Sequence, residues 1–154
     1  MRYSYYSNSP GPAEIFLFFF FIIIALLPQI FYLINMQNTL KAVRPHNRKM
    51  EPGQVWLMLI PLFGLVWQFI MVNKMADSLK AEFAERKINV GEDRPGVNLG
   101  ITYCILLCCS IIPFLGVLAA LGGLVVWIIY WVKIAEFKSK LIGTQANDQI
   151  LDVE

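Results

Sequence analysis

Three cysteines, Cys104, Cys108 and Cys109, lie together in the run "YCILLCCS". Cys104 and Cys108 are four positions apart, which on a helix puts both on one face. Such a pair has the chemistry to hold a soft metal ion or to exchange disulfides. Both uses need the thiolate, and no His, Lys or Arg lies near in sequence to stabilise one. An odd number of thiols on one apolar helix makes no disulfide framework. They read as small packing residues, and no metal or cofactor is expected.

His46, the only histidine, sits among Arg44, Arg48 and Lys49 in "RPHNRK". With no second histidine and no local carboxylate cluster it does not indicate a metal site. Arg44, Arg48 and Lys49 read instead as a basic loop at headgroup level, in contact with anionic lipid. No nucleophile elbow, phosphate loop, metalloprotease helix or paired-carboxylate pattern occurs, so the chain is read as non-enzymatic, with no catalytic residues assigned. The net charge of +2 and the lack of a basic-aromatic stripe argue against nucleic acid as a partner.

The elements that carry these residues are apolar. Of 154 residues, 57% are hydrophobic and only 16% charged, and the mean hydropathy is +0.57, outside the range of soluble domains. Charge is absent from Ile15 to Leu40, from Gln54 to Asn73 and from Pro95 to Val132. A hydrocarbon core of about 30 Å takes roughly 20 residues per helical crossing. Four spans are therefore expected, at about 14–35, 54–73, 97–112 and 116–133, in an all-α integral membrane protein built as two hairpins. Residues 1–12 read as a flexible leader, 13–142 as a single helical membrane domain and 143–154 as a disordered acidic tail. The first apolar run is longer than the core of a secretory signal and no small-x-small cleavage site follows, so it reads as a retained helix.

Two segments repeat. "IPLFG" at 60–64 returns as "IPFLG" at 112–116, and "KMAD" at 74–77 as "KIAE" at 133–136. Pro61, Gly64, Pro113 and Gly116 form the repeated break, and the second copy carries seven extra residues, about two helical turns. Helices two and four are then equivalent, each preceded by a partner, an arrangement known in transporters. Beyond the membrane, helix two is amphipathic: Met75, Leu79 and Phe83 recur at four-residue intervals, and Glu82 and Arg86 are spaced to pair. Glu136 and Lys140 are spaced likewise on helix four.

Lys and Arg counts orient the chain. With four spans, both termini in the cytoplasm give the better split. A rival topology, in which 54–73 dips in and returns at Pro61–Gly64, places every Lys and Arg but Arg2 on one side. A dip must be shielded by protein, because lipid cannot satisfy exposed backbone groups.

Between the end residues Glu14 and Lys133, no Asp, Glu, Lys or Arg lies inside the four expected spans, which argues against a proton-coupled carrier. Gln29, Asn35, Gln68, Asn73, Asn98 and Ser110 read as sources of interhelical hydrogen bonds. In "GVLAALGG" a small-residue stripe of Gly116, Ala119, Ala120 and Gly123 lets another helix approach closely, whether internal, a second copy or another protein.

The run "NRKMEPGQVWLMLIPLFGLVWQFIMVNKMADSLK" at 47–80 resembles a stretch of small bacterial inner-membrane proteins that carry a domain of unknown function. There, too, a Pro-initiated span holds a Trp, an Ile-Pro-x-x-Gly break, a second Trp and a charged helical exit. The resemblance implies a multi-pass location in the bacterial inner (cytoplasmic) membrane and no catalytic residues. The expected role is that of a scaffold or accessory subunit, with the bilayer and a protein partner or a second copy as its contacts. The alternative is a small transporter or channel with a path between the hairpins.

Overall fold

The computed structural model describes residues 10–151. Residues 1–9 of the expected leader and 152–154 of the expected tail lie outside the described residues. The described residues form helices and turns with no strand: α1 (Pro12–Ala42), two 3-10 segments (Pro45–Asn47 and Pro52–Leu59), α2 (Phe63–Glu85), α3 (Val97–Cys109) and α4 (Gly116–Leu151). The chain divides into two units, 1–32 and 33–154.

The described part of the first unit is the beginning of α1, which opens after Pro12 with Glu14 in its first turn, where a carboxylate suits the helix dipole. Its side chains from Ile15 to Ile24 stand exposed on every face, Phe16 at 69% and Phe21 at 64%. A helix apolar all round is at home in hydrocarbon.

The second unit holds the core. Leu33, Met36 and Leu40 of α1, Met71, Met75 and Leu79 of α2, and Ile134, Phe137 and Leu141 of α4 are fully buried. Phe83 and Phe137 meet edge to face with centroids 5.8 Å apart, an orientation the ring quadrupoles favour. Helix ends are set locally. Arg48 donates to the carbonyls of Val43 and Lys41 at 2.8 and 3.0 Å and so caps α1. Lys87, at φ 55°, closes α2 with Ile88 N–H bonded to Phe83 O at 2.9 Å, the Schellman pattern.

Two helices, α1 and α4, are long and apolar enough to cross a membrane. Four spans are not found. The expected span 54–73 is two pieces, because Pro61 brings no N–H and Leu62 turns the chain at φ 62°, ψ −48°. Phe63 N–H bonds Pro61 O at 2.7 Å across that residue, which makes a γ-turn, a strained conformation for leucine. The expected span 97–112 is a helix of 13 residues, about 20 Å long against a core of about 30 Å. The fourth span starts at Gly116 as expected, but α4 runs unbroken past Gly143, where the disordered tail was set, to Leu151. Neither a proline nor a left-handed glycine stops it there.

Candidate functional site

Both copies of the repeated motif are hairpin tips, and the two use their glycine alike although only the first turns at a left-handed residue. A Cβ on Gly64 would sit closer than 3.0 Å to the carbonyl oxygen of Met58, and one on Gly116 would sit 2.7 Å from that of Ser110. In each copy the glycine thus lets the outgoing helix start against a carbonyl six residues back. The residue after each proline, Leu62 or Phe114, is almost wholly exposed, at 82% and 98%. In the first hairpin Trp67 Nε1–H donates to Gln54 O at 2.8 Å and Lys49 N–H to Ser78 Oγ at 2.8 Å. Those two bonds zip the 3-10 segment and the turn before it against α2 in antiparallel order.

The opposite end of the second unit is a plate of charge. Glu82 is fully buried and accepts from Arg44 N–H at 3.0 Å, Asn47 Nδ2 at 2.8 Å and Arg86 Nε at 2.6 Å. Arg86, whose side chain is 2% exposed, also donates to Leu141 O at 3.0 Å and so ties α2 to α4. One turn on, Glu85 takes Arg44 as an ion-pair partner and meets His46 Nε2 at 2.8 Å. Burial alone would raise the Glu82 carboxyl, but the hydrogen bonds from Asn47, Arg44 and Arg86 outweigh it and hold the group below its ordinary 4.5. The His46 and Asn47 hydrogen bonds hold Glu85 below the same value.

A second layer lies on the 89–96 loop. Asp77 accepts from Arg94 at 2.9 Å and Lys133 pairs with Glu92 at 3.2 Å, so the two repeated Lys-x-Ala-acid segments grip one loop from α2 and α4. Between them α3 begins. A Cβ on Gly100 would overlap Val72 and come within 3.1 Å of Tyr130, which fixes Val72 and Tyr130 at one level. An open groove beside this loop is lined by Lys80, Phe83, Ile88, Asn89 and Asp93. Glu92 lines it too, and with Lys80 on Asp93 at 2.8 Å and Lys133 on Glu92 its charges are paired.

The residues singled out by sequence are distributed over these features. Arg44 pairs with Glu82 and Glu85 while its side chain stays 39% exposed, Arg48 caps the end of α1, and Lys49 is exposed. Of the small stripe, Ala119 and Gly123 are buried, and a Cβ on Gly123 would touch Leu106 of α3 at 3.5 Å. The helix they admit is internal, and Ala120 faces outward. Pro61 and Pro113 are exposed at the tips. Asn35 accepts from Lys138 Nζ at 3.0 Å, and Asn73 accepts from Arg94 at 3.1 Å. Cys104 is buried while Cys108 is exposed, and both are free thiols. Among the described residues no three His, Cys, Asp or Glu side chains gather where they would hold a metal ion.

Sequence reasoning missed the Glu82–Glu85 clamp on residues 44–47. A signal for it existed: two carboxylates one turn apart on α2 face a loop of opposite charge. Comparison of the chain with protein-family models, curated proteins and solved structures finds no match.

Proposed function

We propose that this chain is a non-enzymatic integral membrane protein of the bacterial inner membrane, a scaffold or accessory subunit held by α1 and α4. The observation that carries the reading is the contrast between its two kinds of surface. Ile15–Ile24 of α1, Leu62, Phe114, Val117 and Leu118 are exposed, and apolar surface that extensive is buried by lipid or by a partner. At the charged end, by contrast, the carboxylates Asp77, Glu82, Glu85 and Glu92 are all paired within the chain.

The apolar faces of the two exits, with Leu79, Phe83, Ile134, Phe137 and Leu141, are buried in the chain's own core. What the exits offer a cytoplasmic partner is therefore their outward charge, as at the exposed Lys74 and Lys140. Asn73 and Ser110 are held by helix carbonyls, at 2.9 Å to Phe69 O and 2.7 Å to Leu107 O. That use favours packing over a solute path.

The test is an alkaline wash of native membranes, followed by affinity purification in mild detergent with mass spectrometry. The chain should stay with the membranes and bring down a stoichiometric partner that Lys74→Glu releases. Release by the wash, or a monodisperse chain alone whose Lys74→Glu form behaves identically, would end this reading.

A further inference from the structure

The two hairpins differ in depth, and the difference comes from the seven extra residues of the second copy. Gly100 sets a common level, with Val72 on one side of it and Tyr130 on the other. From that level α2 runs back to its tip at Gly64, eight residues away, and α4 to its tip at Gly116, fourteen away. At 1.5 Å per residue those lengths are about 12 Å and about 21 Å. Counted from the charge belt at Lys74 and Lys133, ten and seventeen residues from the tips, they are about 15 Å and about 25 Å. Half of a hydrocarbon core is about 15 Å.

The first tip is also built to stay in hydrocarbon. Ile60, Phe63, Gly64 and Leu65 each bond their N–H to a carbonyl within the turn, at 2.7 to 3.3 Å, and Pro61 has no N–H, so only the Leu62 N–H is left without a bond in the turn. Lipid cannot satisfy exposed backbone groups, so a tip that pairs all but one of its N–H groups within the turn keeps that penalty small. Leu59, Ile60, Leu62, Phe63 and Val66 are exposed around it, and no charged residue occurs from Pro52 to Asn73. Hydrocarbon suits the apolar side chains and the absence of charge.

We propose that the first hairpin, Pro52–Asn73, is a wedge in the single leaflet nearest the charged end, with Leu62 at the bilayer midplane, whereas the second carries Phe114 about 10 Å deeper, close to the far interface. Its occupant is the acyl-chain layer of one leaflet, and the inference rests on the membrane reading above. The chain then adds more area to one leaflet than to the other.

The experiment uses the full chain with Cys104, Cys108 and Cys109 changed to alanine and a bimane placed at Leu62→Cys, Val66→Cys or Phe114→Cys. Each is reconstituted in phosphatidylcholine–phosphatidylglycerol vesicles carrying nitroxides at the headgroup or along the acyl chain. Leu62→Cys should be quenched most by the deepest nitroxide and Phe114→Cys by a shallow one, a separation of about 10 Å, with Val66→Cys about 6 Å nearer the charged interface than Leu62→Cys. An impermeant maleimide added on the side away from the charged end should label Phe114→Cys alone. Equal depths at 62 and 114, or labelling of Leu62→Cys from that side, in protein that resists the alkaline wash overturns the wedge and leaves the membrane reading standing. Release by the wash overturns both.

Discussion

Arg86 lies one helical turn beyond Glu82 and donates to it at 2.6 Å, with both side chains sealed from solvent at 2% and 0% exposure. The spacing expected of a surface helix pair is thus used in the interior, where it joins α2 to the loop after α1 through Arg44 and to α4 through Leu141. Removing one partner of a buried pair leaves the other charge uncompensated, which costs about 3–5 kcal/mol. Glu82→Ala should lower the thermal midpoint of the detergent-solubilised protein well beyond Glu136→Ala, whose exposed pair with Lys140 is worth at most about 1 kcal/mol. Equal midpoints would refute the clamp.

The same carboxylate sets an acid limit. Its folded pKa lies below the ordinary 4.5, so the folded state binds fewer protons than the unfolded state as the pH drops through that region. The stability it contributes is complete above the ordinary value and is lost as pH falls through the lowered one. Glu85 and Glu136, held down by His46 and by Lys140 respectively, act in the same direction. Thermal midpoints should be level from neutral pH down to about 5 and fall below that. In Glu82→Gln the fall should be shallower, and a profile as steep as the parent's would rule Glu82 out as its source.

At the tips, Gly64→Ala and Gly116→Ala drive a methyl into a backbone carbonyl that cannot swing aside. Overpacking of this kind costs about 1–3 kcal/mol, with Gly64 the worse because its approach is the closer. Gly53→Ala, which meets nothing within 4 Å, is the control. Denaturant titration of the three variants gives the order, and a Gly53 variant as weak as the others would contradict it.

Gly100→Ala should destabilise through Val72, a side chain stiff at its first torsion. Here the obstacle is removable. The double variant Gly100→Ala, Val72→Ala should recover part of the loss, with a coupling of about 0.5–3 kcal/mol in a double-mutant cycle. Strict additivity would mean that α3 does not rest on α2 at this point.

A good part of the architecture is written locally and can be read without coordinates. The charge-free runs mark the apolar segments, and Pro12, Pro52 and Gly116 stand where helices begin. The pairs Glu82–Arg86 and Glu136–Lys140 follow from four-residue spacing, and the repeat of Ile-Pro-x-x-Gly marks both tips. Each depends on residues within a turn or two, where backbone geometry leaves few choices.

What sequence could not settle depends on partners far along the chain. An apolar run of given length suits a crossing and a hairpin equally, and only the γ-turn at Leu62 with the Trp67–Gln54 bond makes 54–73 fold back. The basic residue Arg44 reads as a lipid contact because its tertiary partners, Glu82 and Glu85, lie on another helix. Ala119 and Ala120 are the same residue type side by side, yet one is buried and the other faces out. Composition fixes the solvent each segment prefers, whereas direction, pairing and depth are decided when the helices pack against one another.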